Sequence, residues 1–444
     1  MRPAFAQVGG LVTIPPYPSA VRYVEQYGGV DLCAKIAAAI ATLPSGGGIV
    51  DARGAVGAQT CATNPFAATV PVEVLLGAVT LTTDDNIVIS ENVTVRGLRY
   101  RPETTIIKAA GDFAADYTNT DSAARRAVVV LGAAGDAVAQ GAHIENVTID
   151  CSDIASSIGL YSESAQEGSG VRRVFLVDCS LHGIYFEDTA SATTQNTALE
   201  EISILMSNDP DLDANAIGVY LDGAGGQIRV DRMTVNVRSG TGNMDAALRV
   251  ARFTGHFSNL HLERATDGVL LGADASGQSN SMTFSVVDGS STITNLFHID
   301  TTSVVTNVTL ENILRNSSTT LILDDPAGET INVDKVASYT IGGTAGGYQL
   351  VTFSATPTFS ATLGGSFKIT LTANVTSSTL SNAIVGQVLR FIICQDATGS
   401  RTFVWPTNVL GGMTIGSTLS TCSAQTFLYD GTNAYALASG VTGM

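Results

Sequence analysis

From Ile49 onward the chain alternates apolar and polar residues in short runs rich in Val, Ile, Leu and Thr, separated by clusters of Gly, Asn, Asp and Ser. A period of two over short runs marks half-buried β-strands. Only Asp31 to Leu43 has helical spacing. There Leu32, Ile36, Ile40 and Leu43 fall on one stripe, Asp31 stands at the N-cap position and Pro44 follows. The pattern predicts an all-β protein with one short helix near its start.

The runs also repeat. One unit reads Asn, apolar, x, apolar, often followed by an acid: Asn92-Val93-Thr94-Val95, Asn146-Val147-Thr148-Ile149-Asp150, Asn259-Leu260-His261-Leu262-Glu263 and Asn307-Val308-Thr309-Leu310-Glu311. With weaker copies included, the leading apolar residues are Val147, Phe175, Ile202, Met233, Leu260, Phe284, Val308 and Val333, at separations of 28, 27, 31, 27, 24, 24 and 25 residues. A second unit interleaves with it: Gly159-Leu160-Tyr161-Ser162-Glu163, Gly183-Ile184-Tyr185-Phe186-Glu187, Gly218-Val219-Tyr220-Leu221-Asp222, then copies around Leu248, Val269, Phe297 and Leu321. A coil of this length cannot bury its own apolar positions and must stack on its neighbours, which is the condition for a solenoid. Asn at the head of the first unit suits a left-handed bend, with its amide placed to bond the next Asn in the stack. The helix is expected to cover the open edge of the first coil.

The stretch Gly29-Val30-Asp31-Leu32 through Ile40, then Gly46-Gly47-Gly48-Ile49-Val50-Asp51-Ala52-Arg53-Gly54, followed by these coils, resembles the entrance of the pectate-lyase-like superfamily. That group of right-handed parallel β-helices includes pectate and pectin lyases, polygalacturonases and phage tailspikes. The resemblance spans Gly28 to Gly343 and implies a right-handed parallel β-helix with an N-terminal capping helix. It bears on architecture more than on chemistry. Of the motifs of polygalacturonase-type members, Gly-His-Gly and Arg-x-Lys are not reproduced: Gly255-His256 is followed by Phe257, and no Arg-x-Lys occurs. Residues 1–27 read as an extension, 28–343 as capping helix and β-helix, and 344–444 as a linker and a small antiparallel β-sandwich. That last module, with Trp405 beside Pro406, looks like those appended to phage-fibre-like and exported β-helix proteins.

Alternation along the second unit sorts its residues by face. Leu160, Ile184, Val219, Leu248, Val269, Phe297 and Leu321 point inward. Outward go Tyr161/Glu163, Tyr185/Glu187, Tyr220/Asp222, Arg249/Ala251, Leu270/Gly272, His298/Asp300 and Ile322/Asp324. Stacked at about 4.8 Å, three coils would show a tyrosine column beside a carboxylate column, with Arg249 on the next coil. Such a face suits a polysaccharide: rings stack on sugar faces, and charged groups bond hydroxyls or uronates. Glu187, Asp222 and Arg249 are the candidate catalytic residues, the acids as a glycosidase pair and Arg249 as the base of an elimination. Tyr161, Glu163, Tyr185, Tyr220, His298 and Asp300 are candidate substrate contacts.

Composition narrows the partners. Forty acids against 23 Lys and Arg give a net charge of -17, which disfavours nucleic acid and anionic membranes. No run approaches the roughly 18–20 apolar residues of a membrane span. The six cysteines form three pairs at the same 28-residue spacing, Cys33/Cys61, Cys151/Cys179 and Cys394/Cys422, which points to disulfides and to a secreted or cell-surface protein. Ala4-Phe5-Ala6 has the small-x-small form of a signal-peptidase site with no apolar stretch before it, which leaves open whether an export signal has been removed or the match is chance. Asp209, Asp211, Asp213 and Asn215 alternate as Ca2+ ligands do, without the glycine and distal acid of a calcium loop, so the choice lies between Ca2+ and no cofactor. Two functional readings follow. The first is an exported β-helix that binds, and by elimination or hydrolysis cleaves, an acidic polysaccharide. The second is a non-catalytic fibre, adhesin or tailspike-like attachment protein, open to homotrimeric assembly.

Overall fold

The computed structural model describes residues 20–99, 104–132, 138–187, 189, 196–208, 211–222, 227–238, 242–251, 253–272, 281–290, 292–299, 307–316, 320–324, 330–333, 336–339, 349–361 and 365–444. The chain divides into two compact units, Met1–Tyr339 and Thr340–Met444. The first is a parallel β-solenoid of about 12 turns. Each full coil carries one bent strand and one straight strand, and each pairs in parallel with its counterpart one coil on. The halves of the bent strands form a first and a second sheet. The straight strands form a third, which runs from Ile87–Ile89 through Ile158–Ser162, His182–Glu187, Ile217–Asp222 and Met244–Ala251 to Thr320–Asp324. The core between the sheets is apolar and fully buried, with Phe257 stacked on Phe284 at 4.7 Å and Phe297 edge-on to Phe284 at 5.2 Å.

What bends the strands is one left-handed residue per coil. Asn146, Arg173, Glu201, Arg232, Asn259, Val286 and Asn312 all have φ between 51° and 58°, and each separates the two halves of its strand. The asparagine reading holds at Asn146 and Asn259. Asn92 is left-handed at a different turn, and Asn307 lies within an extended strand, with Asn312 taking the bend. No asparagine ladder runs up the stack, because Arg and Glu occupy the intervening coils. Asn259 donates instead to Asp231 Oδ1 at 2.9 Å, and Arg232 pairs with Glu201 at 2.7 Å.

This bend also sets the phase of the second sheet. Val147 pairs with Val174, and Leu260 with Val287, so the true repeat positions are Val174 and Val287 in place of Phe175 and Phe284. Phe175 consequently pairs with outward Thr148, while Leu176, expected outward, is wholly buried. Where Arg or Val occupies the bend, nothing in the sequence announces it. The third sheet shows one comparable slip: Phe297 pairs with Ile322 and His298 with Leu323, one residue from the expected register.

The helix spans Leu32–Ile40, and Asp31 Oδ1 accepts from the Ala34 amide at 2.7 Å as N-cap. Its apolar stripe, with Leu32, Cys33, Ile36, Ala39 and Ile40 buried, joins the core. All three cysteine pairs are disulfides. Cys33–Cys61 ties the helix to strand Gly57–Cys61, Cys151–Cys179 staples adjacent coils at a Cα separation of 4.9 Å, and Cys394–Cys422 lies in the second unit. The second unit fits a small sandwich, but its main sheet is mixed. Ser366–Leu371 pairs in parallel with Val388–Gln395, which pairs antiparallel with Cys422–Tyr429. The Asp430-Gly431 turn leads into Ala434–Ala436, whereas Thr402 to Trp405 forms no strand. Trp405 packs edge-on against Phe391 and Phe403, and its indole N–H donates to the Met413 carbonyl, so it belongs to the core. No described helix is long and apolar enough to cross a membrane.

Val286 is the outlier among the bend residues, because a β-branched side chain is strained at φ 56°. Its side chain is 40 % exposed, so little burial is lost on replacement. Val286→Asn is expected to raise unfolding free energy by about 1 kcal/mol in urea titrations, and Asn146→Val to lower it by about 1–2 kcal/mol. A Val286→Asn variant less stable than the parent would contradict a strained bend.

Candidate functional site

The third sheet carries the tyrosines, and glycine is what lets it. Gly183 turns its missing side chain into the core, where a Cβ would lie 2.7 Å from both the Gly218 carbonyl and Ile204 Cγ2. Gly159 and Gly218 occupy equally tight places one coil before and one coil after. The next residue also points inward, and the third turns out, so Tyr161, Tyr185, Tyr220, Arg249, Leu270 and His298 align in register as one outward column. Glu187 and Asp222 pair in the adjoining column.

That face is not open over its whole length. Residues 110–126 leave the solenoid between strands Ile106–Ala109 and Ala127–Leu131 and fold a small hairpin, Tyr117–Thr118 with Ala124–Arg125. The hairpin covers the first part of the column: Tyr161 is 0 %, Glu163 1 % and Glu187 4 % exposed. Glu163 accepts from Tyr117 Oη at 3.0 Å and from the Thr120 amide and hydroxyl at 2.8 and 2.7 Å. Glu187 is the node of the cover. Its Oε1 accepts from Asn119 Nδ2 at 2.6 Å, from Arg125 Nε at 3.0 Å and from the Tyr161 hydroxyl, and its Oε2 from Arg125 Nη2 at 2.7 Å and Tyr185 Oη at 2.6 Å. Five donors fill the roughly four lone-pair sites of a carboxylate. Burial alone would raise the Glu187 pKa, but Arg125 and the two tyrosine hydroxyls outweigh it and hold the group ionised. Burial, reinforced by that carboxylate, pushes both tyrosine pKa values up, so Tyr161 and Tyr185 remain protonated donors.

Beyond the hairpin the rings stack on each other. Tyr185 and Tyr220 lie 4.8 Å apart and 10° from parallel, with the Arg125 guanidinium 5.5 Å from the Tyr185 centroid and that of Arg249 4.9 Å from the Tyr220 centroid. His182 sits edge-on to both tyrosines at 5.2 and 5.8 Å. This Arg–Tyr–Tyr–Arg pile is stabilised by cation–π attraction at both ends. It also occupies the ring faces that were expected to stack on sugars, so the pile presents ring edges and polar tips. Beside it opens a pocket of about 410 Å³ lined by Asp116, Arg125, Arg126, Ser156, His182 and Tyr185 among others. Arg126 Nε lies 3.3 Å from Asp116 Oδ1, an ion pair whose angle makes no hydrogen bond, and Arg249 Nε likewise has no hydrogen-bond partner. Burial pushes the His182 pKa down to about 4, and its Nδ1 has no hydrogen-bond partner.

The other candidate residues lie apart from this pocket. Asp222 is half-buried at the end of the carboxylate column. His298, farther along the tyrosine column, bonds through Nδ1 to buried Asp267 at 2.6 Å, and Asn295 donates to the same carboxylate at 2.8 Å. Asp209 and Asp300 lie outside the described residues. Asp211, Asp213 and Asn215 sit on the turn before Ile217–Asp222, where Asp213 Oδ1 accepts from the Asn215 amide at 3.0 Å. Among the described residues no group of three or more His, Cys, Asp or Glu gathers to hold a metal. On the second sheet, His261 is clasped by Asp288 at 2.9 Å and Glu263 at 2.8 Å. Burial lowers its pKa, but the two carboxylates outweigh that and leave it raised. Sequence reasoning missed Asn119, Arg125, Arg126, Asp116 and His182. The first four stand in or beside an excursion without repeat phase. His182 had a signal, since it precedes Gly183 at the head of a tyrosine unit.

No family model matches the chain, and no curated protein matches it. Among solved structures it is similar to the A-module of the Azotobacter vinelandii mannuronan C-5 epimerase AlgE6, at 14% identity and a TM-score of 0.29, over 72% of this chain and 99% of that one. It is also similar to gp49, a tailspike protein and capsular polysaccharide depolymerase of Acinetobacter baumannii bacteriophage Fri1, at 9% identity and a TM-score of 0.32, over 83% of this chain and 73% of that one. At these scores neither likeness bears on substrate or mechanism, and the solenoid stands on its own strand pairing.

Buried Glu187 holds the half-buried Arg125, so its removal leaves that guanidinium without its anion. Glu187→Ala is expected to cost about 3–5 kcal/mol and to strip hydrogen-exchange protection from 117–125. A loss below about 1 kcal/mol with those amides still protected would show that the carboxylate does not anchor the hairpin.

Proposed function

We propose that the protein binds an acidic polysaccharide laid along the third sheet, with a uronate seated in the pocket between Arg126, Asp116 and Tyr185. The observation that carries this reading is the pair of guanidiniums with unmade Nε–H bonds, Arg126 in the pocket and Arg249 beyond the stacked tyrosines. A guanidinium meets a carboxylate bidentately, and two of them along one line suit a polymer that repeats its acid. Asp116 and Ser156 supply acceptors for sugar hydroxyls. The pocket volume falls within the roughly 300–1,000 Å³ of ordinary ligand sites. A face covered by a hairpin and hollowed beside it favours this reading over a loop-poor fibre surface.

In this reading Glu187, Asn119 and Tyr161 position the site and do not touch substrate. Arg249 serves as a carboxylate ligand. The group able to accept a proton is His182, a neutral imidazole beside two arginines, and Tyr185 is the hydroxyl able to give one. Together they suit β-elimination: the arginines neutralise the uronate carboxylate, the imidazole takes the proton from the adjacent carbon, and the glycosidic C–O bond breaks as a carbon–carbon double bond forms. Export to the cell surface or medium accords with three disulfides.

The test is calorimetry with uronate and neutral oligosaccharides, joined to ultraviolet absorbance for the new double bond and a reducing-end assay. Uronates are expected to bind, and Arg126→Ala to weaken them about tenfold or more. His182→Ala should abolish any absorbance gain while leaving binding in place. No uronate bound by the parent, or uronates held equally by Arg126→Ala, would overturn the assignment. Binding without absorbance or reducing ends would remove elimination and leave a binding protein.

A further inference from the structure

A larger hollow lies on another face of the solenoid. A groove of about 840 Å³ runs across the outer side of the first sheet. Its floor is one register column, His143, Gly170, Ala198, Arg229, His256 and Thr283, on six successive coils. Five coil spacings of about 4.8 Å make it about 24 Å long. It is deep because Gly170 and Ala198 fill the middle coils with almost no side chain, while His143 rises on one side and Arg229 and His256 on the other.

The groove's long wall is the neighbouring column, Arg96, Glu145, Arg172 and Glu200. Those charges are matched. Arg96 pairs with Glu73 at 2.6 Å and Glu145 at 3.1 Å, and Glu200 lies 3.6 Å from both Arg172 and Arg229. Among the residues that line the groove, two arginines, Arg172 and Arg229, face two glutamates, Glu145 and Glu200, so the lining is neutral within a chain of net charge -17. Burial outweighs the pull of Glu145 and lowers the His143 pKa, leaving that ring an uncharged donor and acceptor. One buried polar group is left over: Thr197 lines the groove, is 4 % exposed, and its hydroxyl has no hydrogen-bond partner.

We propose that this groove is a second binding site, which takes a neutral, hydroxyl-rich polysaccharide chain laid parallel to the solenoid axis. A long trench with donors and acceptors along its coils and no net charge matches a polymer that repeats hydroxyls. A polyanion would find no unmatched cation on the wall, and a polycation no unmatched acid. The site is separate from the Arg126 pocket in sheet, in charge and in ligand. It would let one molecule hold two glycans, or two parts of one heteropolymer.

The experiment uses the full chain and neutral cello-, malto- and manno-hexasaccharides, with binding read by calorimetry and by ligand-observed NMR. At least one is expected to bind, and Ala198→Tyr, which fills the trench, to weaken it at least tenfold. Arg229→Ala keeps the trench open and removes one donor; a severalfold loss is expected there, which guards against a misfolded Ala198→Tyr protein. Arg126→Ala should leave neutral glycan binding unchanged, so that this site and the uronate pocket fail independently. The proposal is overturned if no neutral hexasaccharide binds the parent, or if both groove variants bind as the parent does. It is equally overturned if light scattering shows the parent to be an oligomer that Ala198→Tyr dissociates, because the groove would then be an interface between copies.

Discussion

One left-handed residue in each coil is the constraint on which the solenoid depends. A strand cannot turn a corner and keep its ladder unless the backbone passes through a conformation that L-residues avoid, at a cost of roughly 1–2 kcal/mol each. Here seven consecutive coils accept that cost at the same place, and only three of the seven bend residues are asparagine. What makes it tolerable is the stack: every coil that bends alike gains parallel pairing on both sides and buries its apolar positions against neighbours that could bury nothing alone. The corner therefore fixes which residues face out on the first and second sheets. It also leaves the third sheet straight, and free to carry a column of large side chains.

The third sheet uses that freedom through a different device. Gly159, Gly183 and Gly218 place two successive residues inward, so that the tyrosines which follow turn out in register. A tyrosine column of this kind would ordinarily be wet. The excursion at 110–126 changes its character by lowering Asn119 and Arg125 onto Glu187, and the carboxylate becomes a hub of charge-assisted hydrogen bonds in a dry setting. The order of causes runs from glycine spacing, to an aligned column, to a covered carboxylate, to an arginine held over a tyrosine ring beside an open pocket. A chain with the same coils but no excursion would present a flat polar sheet.

Much of this was legible in the sequence. The interleaved repeats, the helix with its Asp31 cap, the three cysteine pairs and the alignment of Tyr161, Tyr185, Tyr220 and Arg249 all follow from periodicity, because stacked coils repeat their physics. What periodicity could not supply lies where the repeat is broken or silent. The bend at Arg173 or Val286 carries no turn residue, so periodicity places Phe175 and Phe284 one and three residues from the true repeat positions. The hairpin residues Asn119 and Arg125 belong to an insertion with no counterpart in other coils, and their partners looked exposed for want of them. The trench on the first sheet is defined by the smallness of Gly170 and Ala198, and small residues in a strand send no functional signal. Stacking of rings on sugars follows from an aligned, outward tyrosine column. The alignment alone does not show that Tyr185 and Tyr220 are close enough to stack on one another.

The most direct test of the site is a crystal structure of the protein soaked with a uronate oligosaccharide, with the ring positions of Tyr185 and Tyr220 compared with and without ligand. The account predicts a sugar carboxylate bonded to Arg126, a hydroxyl bonded to Asp116, and the two tyrosines still stacked on each other with Glu187 still bound to Arg125. A sugar ring lying flat on Tyr185 or Tyr220, or a uronate bonded to Glu187 with the hairpin displaced, would contradict it.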